Sequence, residues 1–263
     1  MIKLENITFK YDKIIIDGIN LNIQKSKVTF IIGANGSGKS TLANIISGLL
    51  YPVSGKLSID DITINKKTDN KLIRNKVGIV FQNPSNQIIF SKVYDDIKFT
   101  LENMKVEKTL IPEIIKDSLK KVNMENFMNT NPYELSGGEQ QRIAIASQLS
   151  LNPDYLIFDE ATSMIDINGK QAIYKLINSL KKKMGIIFIT NNMDELIYAD
   201  EIVIIDNHKT YKYEINDILN DNTILTKHNL QIPFIFKLAT TLKINNIDDL
   251  NKKSILERIK KNG

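Results

Sequence analysis

Nine consecutive residues, Gly33-Ala34-Asn35-Gly36-Ser37-Gly38-Lys39-Ser40-Thr41, have the make-up of a phosphate-binding loop. Gly33, Gly36 and Gly38 let the backbone turn tightly and bring its N–H groups against phosphate. A helix that begins there turns its positive end toward the same anion. Lys39 suits the β- and γ-phosphates, and the Ser40 hydroxyl suits Mg²⁺. Further along, Tyr155-Leu156-Ile157-Phe158 is an apolar strand ending in two acids, Asp159 and Glu160. Asp159 is placed to hold Mg²⁺, directly or through water. Glu160 is placed to orient and deprotonate an attacking water. Alone, the pair reads equally well as two solvated carboxylates, and it is the glycine loop upstream that favours chemistry.

Between these motifs lies Leu135-Ser136-Gly137-Gly138-Glu139-Gln140-Gln141-Arg142. Ser136, Gly137 and Gly138 supply a hydroxyl and unshielded N–H groups at the start of a helix through Gln141, Ile143 and Ala144. That is an anion site with no lysine or metal ligand of its own. A serine helix cap accounts for its first residue but not for the whole run.

The elements that hold these motifs are readable in outline. Residues 4–11 and 20–32 read as strands, and Val28-Thr29-Phe30-Ile31-Ile32 delivers the chain into the glycine loop. Residues 41–50 have helical periodicity, completing the strand–loop–helix context that a phosphate loop requires. Further strands are expected at 77–81, 155–158, 185–190 and 202–206. They alternate with helical segments, so the core is expected to be an α/β sheet, partly parallel. Residues 93–150 carry amphipathic helical patterns and no strand pattern, as a helical insertion would. From about 212 onward, short apolar bursts are broken by Asn, Asp and Lys, which suggests a small helical appendage. Within it, residues 248–261 have a helical pattern: Asp248 and Asp249 suit its start, and Arg258, Lys260 and Lys261 its end. Leu250, Ile255, Leu256 and Ile259 fit one apolar side, serving either subunit contact or packing on the chain's own domain.

With these three motifs in this order, residues 1–215 resemble the nucleotide-binding subunit of an ABC ATPase. The resemblance implies a P-loop NTPase core of ABC type with a mixed sheet, ATP and Mg²⁺ as ligands, and paired subunits. In such a pair, Ser136, Gly137 and Gly138 of one subunit cap the γ-phosphate held by the facing subunit's glycine loop. It also implies that Gln82 senses Mg²⁺ and that Tyr11 stacks on adenine, although a lone aromatic in a strand reads equally as core. Asp166 matches the loop that contacts the facing subunit. One position departs from the family pattern: Asn191 stands where a histidine usually contacts the γ-phosphate. Asn can hydrogen-bond phosphate but cannot become cationic near neutral pH.

The segments Asn83-Pro84-Ser85-Asn86-Gln87-Ile88-Ile89-Phe90 and Val93-Tyr94-Asp95-Asp96-Ile97-Lys98-Phe99 are similar to those of energy-coupling factor (ECF) importers. So are Asp159 to Asp166 and the tail Leu230 to Leu238, and Ala161 and Met164 suggest the first of the two paralogous A subunits. That resemblance implies a motor at the cytoplasmic face of the membrane, paired with a paralogous A subunit or a second copy. It would drive a transmembrane T subunit and S subunits that bind vitamins or metal ions, with residues 216–263 as a dimerisation region. Two rivals are an ABC ATPase of nucleic-acid repair or translation, and an ATP-binding partner with a hydrolytically weak site.

Composition sets outer bounds. At 263 residues, 42% hydrophobic and 25% charged, the chain is ordinary for a globular protein. No apolar run approaches the ~18 residues needed to span a bilayer. The strand-like Ile2 to Phe9 is unlike a signal peptide, so a cytosolic protein is expected. No cysteine is present, which fits a reducing compartment. The net charge of +5 rests almost wholly on scattered lysines, with Arg only at 74, 142 and 258. That distribution argues against direct nucleic-acid binding.

Overall fold

The run Val28 to Ile32 is apolar throughout and buried on both faces, which suits the middle of a parallel sheet covered on each side. The computed structural model describes residues 1–250 except 66, 67 and 69. It places that run in β3 (Val28–Gly33), beside the equally buried β7 (Tyr155–Asp159) and β8 (Gly185–Ile189). With β6 (Val77–Val80), β9 (Glu201–Asp206) and β10 (Lys209–Glu214) they form one sheet, in the order β10-β9-β3-β8-β7-β6. All neighbours in it run parallel except β9 and β10. Lysines on the exposed β10 discourage edge pairing with another chain.

A second, antiparallel sheet has the order β2-β1-β4-β5, from β1 (Ile2–Lys10), β2 (Ile14–Ile23), β4 (Ser54–Ile59) and β5 (Ile62–Ile64). The strand expected over 20–32 is therefore two strands in two sheets, separated by a turn with Ser26 at φ 62°. The break coincides with a change of pattern: alternate burial up to Ile23, continuous burial from Val28. Strands β4 and β5 were not expected from the sequence. Strand β10 also runs past residue 212, where the helical tail was expected to begin.

Helix α1 (Lys39–Ile46) lies between the two sheets. Its Leu42, Ala43, Ile45 and Ile46 pack with Ile2, Leu4 and Ile7 on one side and Ile31, Ile157 and Ile187 on the other. Each such leucine or isoleucine contributes ~1.5–3 kcal/mol, so the helix that follows the glycine loop is clamped from both sides. The other face of the parallel sheet presents Phe30, Phe188 and Phe158, stacked at centroid distances of 5.0 and 4.5 Å. Over it pack α3 (Val93–Asn103), α4 (Ile111–Lys121), α5 (Gly137–Ser150) and α6 (Ile167–Leu180).

Residues 93–150 are helices and 3₁₀ turns without a strand, in line with the expected insertion. Helix α2 (Asn70–Lys76) leads into β6. After β10 come α7 (Ile215–Asn220), α8 (Thr223–Lys227) and α9 (Phe234–Thr241). Ile218, Leu225 and Phe236 from these helices join the larger core, so the described part of the tail is packed on the main body. The helix expected over 248–261 lies outside the described residues but for its first three. There, Ile247–Asp249 form a 3₁₀ turn.

Candidate functional site

The glycine loop leaves β3 at its carboxyl end and turns into α1 at Gly38, whose φ is 101°. A Cβ at Gly38 would also stand 2.9 Å from Ile15 Cγ2, so glycine is required there twice over. At Gly33 a Cβ would meet the Ile205 carbonyl oxygen at 2.5 Å. The loop wall is made of Ile15, Asn35, Gly36, Gly38, Lys39, Ser40, Thr41 and Glu160.

Lys39 is buried, and its Nζ donates to the carbonyls of Gly33 at 2.9 Å and Ala34 at 3.0 Å. Burial pushes its pKa down, only partly opposed by the charges of Glu160 and Asp159. Its ammonium thus stands within the loop with carbonyl partners alone, ready for an anion. The Ser40 hydroxyl donates to Asp159 Oδ1 at 3.1 Å, joining the two motifs across 119 residues. Burial raises the Asp159 carboxyl, partly offset by that hydroxyl. Among the described residues no cluster of three or more acids, histidines or cysteines could hold a metal ion. A hydroxyl beside one buried carboxylate fits Mg²⁺, which keeps waters and phosphate oxygens as most of its ligands.

Glu160 follows directly at the end of β7. It has a positive φ of 51°, and its N–H donates to the Ile189 carbonyl at 2.9 Å. This turn sends its side chain toward the end of β8, where Asn191 Nδ2 donates to Glu160 Oε1 at 2.5 Å. The position that departs from the family pattern thus touches the expected base.

The other expected residues stand apart from the loop wall. Tyr11 is 59% exposed, its ring near-perpendicular to that of Phe9 at 5.0 Å, which removes the core reading. Gln82 is exposed just after β6. Ser136 caps α5, forming a capping box with Glu139. Its hydroxyl donates to Glu139 Oε2 at 2.7 Å and its N–H to the same oxygen at 2.9 Å. Those donors hold the Glu139 carboxyl below the usual range. Gly137 and Gly138 face Met164 and Ile165, so the octapeptide adjoins the loop containing Asp166. Asp166 itself caps α6, accepting from the Gly169 N–H at 2.9 Å.

Two groups of residues have contacts that the sequence reading did not foresee. Gln87 Oε1 accepts from the Phe81 N–H at 2.9 Å and its Nε2 donates to the Ile79 carbonyl at 3.0 Å. Fully buried Gln141 donates to the Phe81 carbonyl at 2.9 Å, so α5 grips the backbone just before Gln82. The second group is Thr162, Thr190 and Glu195, buried beside the Glu160–Asn191 contact. Nothing in their spacing distinguishes them from ordinary polar residues, and their meeting depends on the fold.

The ABC transporter family matches residues 16–163, more than half of the chain. The energy-coupling factor transporter ATP-binding protein EcfA1 of Mesomycoplasma hyopneumoniae (strain 7448) is 42% identical over 251 residues, covering 93% of this chain and 92% of its own. EcfA1 of Mycoplasmopsis pulmonis is 43% identical, covering 92% and 94%. Among solved structures, cbiO1 from Clostridium perfringens, part of the ABC transporter complex cbiONQ, has a TM-score of 0.77 at 32% identity, covering 91% of this chain and 98% of its own. The dimeric cassette MJ0796 bound to ADP and Pi has a TM-score of 0.75 at 29% identity, covering 82% and 99%. The chain belongs to the ABC transporter family, among the ATP-binding subunits of energy-coupling factor transporters.

Proposed function

We propose that this chain hydrolyses ATP at a site built on its own glycine loop, and that the reaction drives an importer assembled on a membrane T subunit. The observation that carries this is the convergence of Lys39, Ser40, Asp159, Glu160 and Asn191 at the carboxyl ends of β3, β7 and β8. The loop N–H groups and Lys39 bind the β- and γ-phosphates, while Tyr11 offers its exposed ring to adenine, worth ~1 kcal/mol. Ser40 and Asp159, joined by Gln82 from the segment after β6, would hold Mg²⁺, which would neutralise charge on the phosphates. Glu160 takes a proton from water as the water oxygen bonds to the γ-phosphorus. The bond from that phosphorus to the β–γ bridging oxygen breaks, leaving ADP and phosphate. Asn191 orients Glu160 and can donate to the γ-phosphate.

Ser136, Gly137 and Gly138 do not line this cavity and serve the site of a facing subunit, either a paralogous A subunit or a second copy. An apolar groove between β6, α3 and α5, bordered by Leu49, Ile88, Ile89 and Phe99, is suited to the coupling helices of the T subunit. The chain is then peripheral to the membrane, consistent with the absence of a membrane-spanning helix among its described residues. S subunits would supply the cargo, vitamins or metal ions, and residues 216–263 would support dimerisation.

The test uses the assembled complex with the facing subunit's site inactivated. Glu160→Gln is expected to lower turnover by roughly 10²–10⁴-fold while ATP still binds. Unchanged turnover would remove the base assignment. Asn191 supports a second reading, in which this site hydrolyses more slowly than its partner.

A further inference from the structure

Two loops must stay in register for the proposed chemistry. One follows β7 and carries Glu160; the other follows β8 and carries Asn191. A single carboxylate lies between their anchors. Glu195 is 4% exposed, and both of its oxygens are occupied. Thr162, two residues after Glu160, donates its hydroxyl to Glu195 Oε1 at 3.0 Å. Thr190, one residue before Asn191, donates to Glu195 Oε2 at 2.7 Å. Lys170 of α6 reaches Oε1 at 3.3 Å and supplies the compensating charge. Thr190 Oγ1 also accepts from the Asn192 N–H at 3.0 Å, tightening the second loop on itself. The ring closes where Asn191 donates to Glu160.

We propose that Glu195 is a positioning residue: its buried carboxylate bridges Thr162 and Thr190 and so fixes Asn191 against Glu160. This goes beyond the functional reading above, on which its catalytic consequence rests. A buried ion is held in place by all its donors at once, and each donor here belongs to a different segment. Removing it leaves two hydroxyls and an ammonium without their acceptor. The loops are then joined by one amide–carboxylate contact and the strand-end bond from the Glu160 N–H to the Ile189 carbonyl. A displacement of about 1 Å in a base that must meet a water and a phosphorus lowers rate by up to ~10²-fold, without comparable loss of binding.

Two measurements on the full chain test this. Hydrogen exchange of the nucleotide-free protein is compared between wild type, Glu195→Gln and Glu195→Ala. Glu195→Ala is expected to raise exchange in residues 160–165 and 190–196 while β7 and β3 stay protected. Glu195→Gln keeps one acceptor oxygen and is expected to fall between. Unchanged exchange in the two loops, or an increase spread over the whole sheet, overturns the proposal. In the assembled complex with the facing site inactivated, Glu195→Ala is expected to lower kcat roughly 10–100-fold and leave the KM for ATP within about threefold. Glu195→Gln should recover part of the loss. A kcat equal to wild type, or equal losses in kcat and in ATP affinity, counts against the positioning role. Retained turnover in Glu160→Gln would instead fault the base assignment, and the exchange data would still decide the role of Glu195.

Discussion

The two ends of the parallel sheet treat charge in opposite ways. At the amino-terminal ends of β3, β6 and β7, Lys25 reaches Asp60 at 2.8 Å and Asp154 at 3.0 Å, while Lys76 reaches Asp154 at 2.6 Å. The N-terminal amine and the Tyr155 hydroxyl also converge on Asp60. Burial alone would raise both carboxyls, yet these donors hold Asp60 and Asp154 below the usual range. Burial likewise lowers Lys25, but its two carboxylates outweigh it and the net shift is upward. At the carboxyl-terminal ends the signs reverse: Lys39 is pushed down and Asp159 up. No ion pair within 4 Å engages either of them among the described residues. One end has satisfied its charges internally and fastens the two sheets together. The other keeps a cation and a carboxylate short of partners, which an incoming phosphate and its metal would supply.

Matched substitutions at the two ends should have opposite effects on stability. Asp60→Asn leaves Lys25 and the N-terminal amine with a weaker acceptor and is expected to destabilise by ~1–3 kcal/mol. Asp159→Asn removes a buried charge that has no ion pair within 4 Å among the described residues. It is expected to leave the nucleotide-free protein as stable as wild type, or slightly more so, while impairing Mg²⁺-dependent ATP binding. Urea unfolding of both variants decides the matter, and equal destabilisation would erase the contrast.

Acid titration should separate the two ends by sign. The folded pKa values of Asp60 and Asp154 are depressed, so their contribution is fully present above the unfolded value of about 3.9 and is lost as pH falls through the folded values. Asp159 has the opposite sign, because its folded pKa is raised: its unfavourable contribution at neutral pH is relieved as pH falls through that value toward the unfolded one. Below pH 4, wild type should lose stability more steeply than the double variant Asp60→Asn/Asp154→Asn. Parallel stability curves for the two proteins would argue against internal pairing as the stabilising element.

The smallest effect concerns Asn191. An amide donates to an anion about 1 kcal/mol less effectively than a charged donor, so Asn191→His is expected to raise single-site turnover about fivefold below pH 6.5. A rate independent of this substitution would show that the amide already suffices.

Much of this arrangement was legible in the chain because it is local. The phosphate loop, the acids after β7 and the serine cap of α5 are each contiguous, and β3, β7 and β8 are continuous apolar runs. What was missed has a physical reason. Ser54-Gly55-Lys56-Leu57-Ser58-Ile59 buries only its second half, and β10 is lysine-rich, so neither strand shows a clean apolar period. Residues 20–32 merged into one strand because apolar residues flank both sides of Gln24-Lys25-Ser26-Lys27, although that polar run is the turn between two sheets. Glu195 and Gln141 acquire their roles from partners 33 and 60 residues away, which no local pattern encodes.

The left-handed backbone at Glu160 has a consequence for how the position can change over time. A non-glycine residue held at φ 51° sits in a region that costs of order 1–3 kcal/mol, and glycine or asparagine would occupy it more comfortably. Replacing Glu160 by glycine or asparagine would therefore relieve the strain in this turn and remove the carboxylate together, so the turn gains stability only by losing the group that it aims at Asn191.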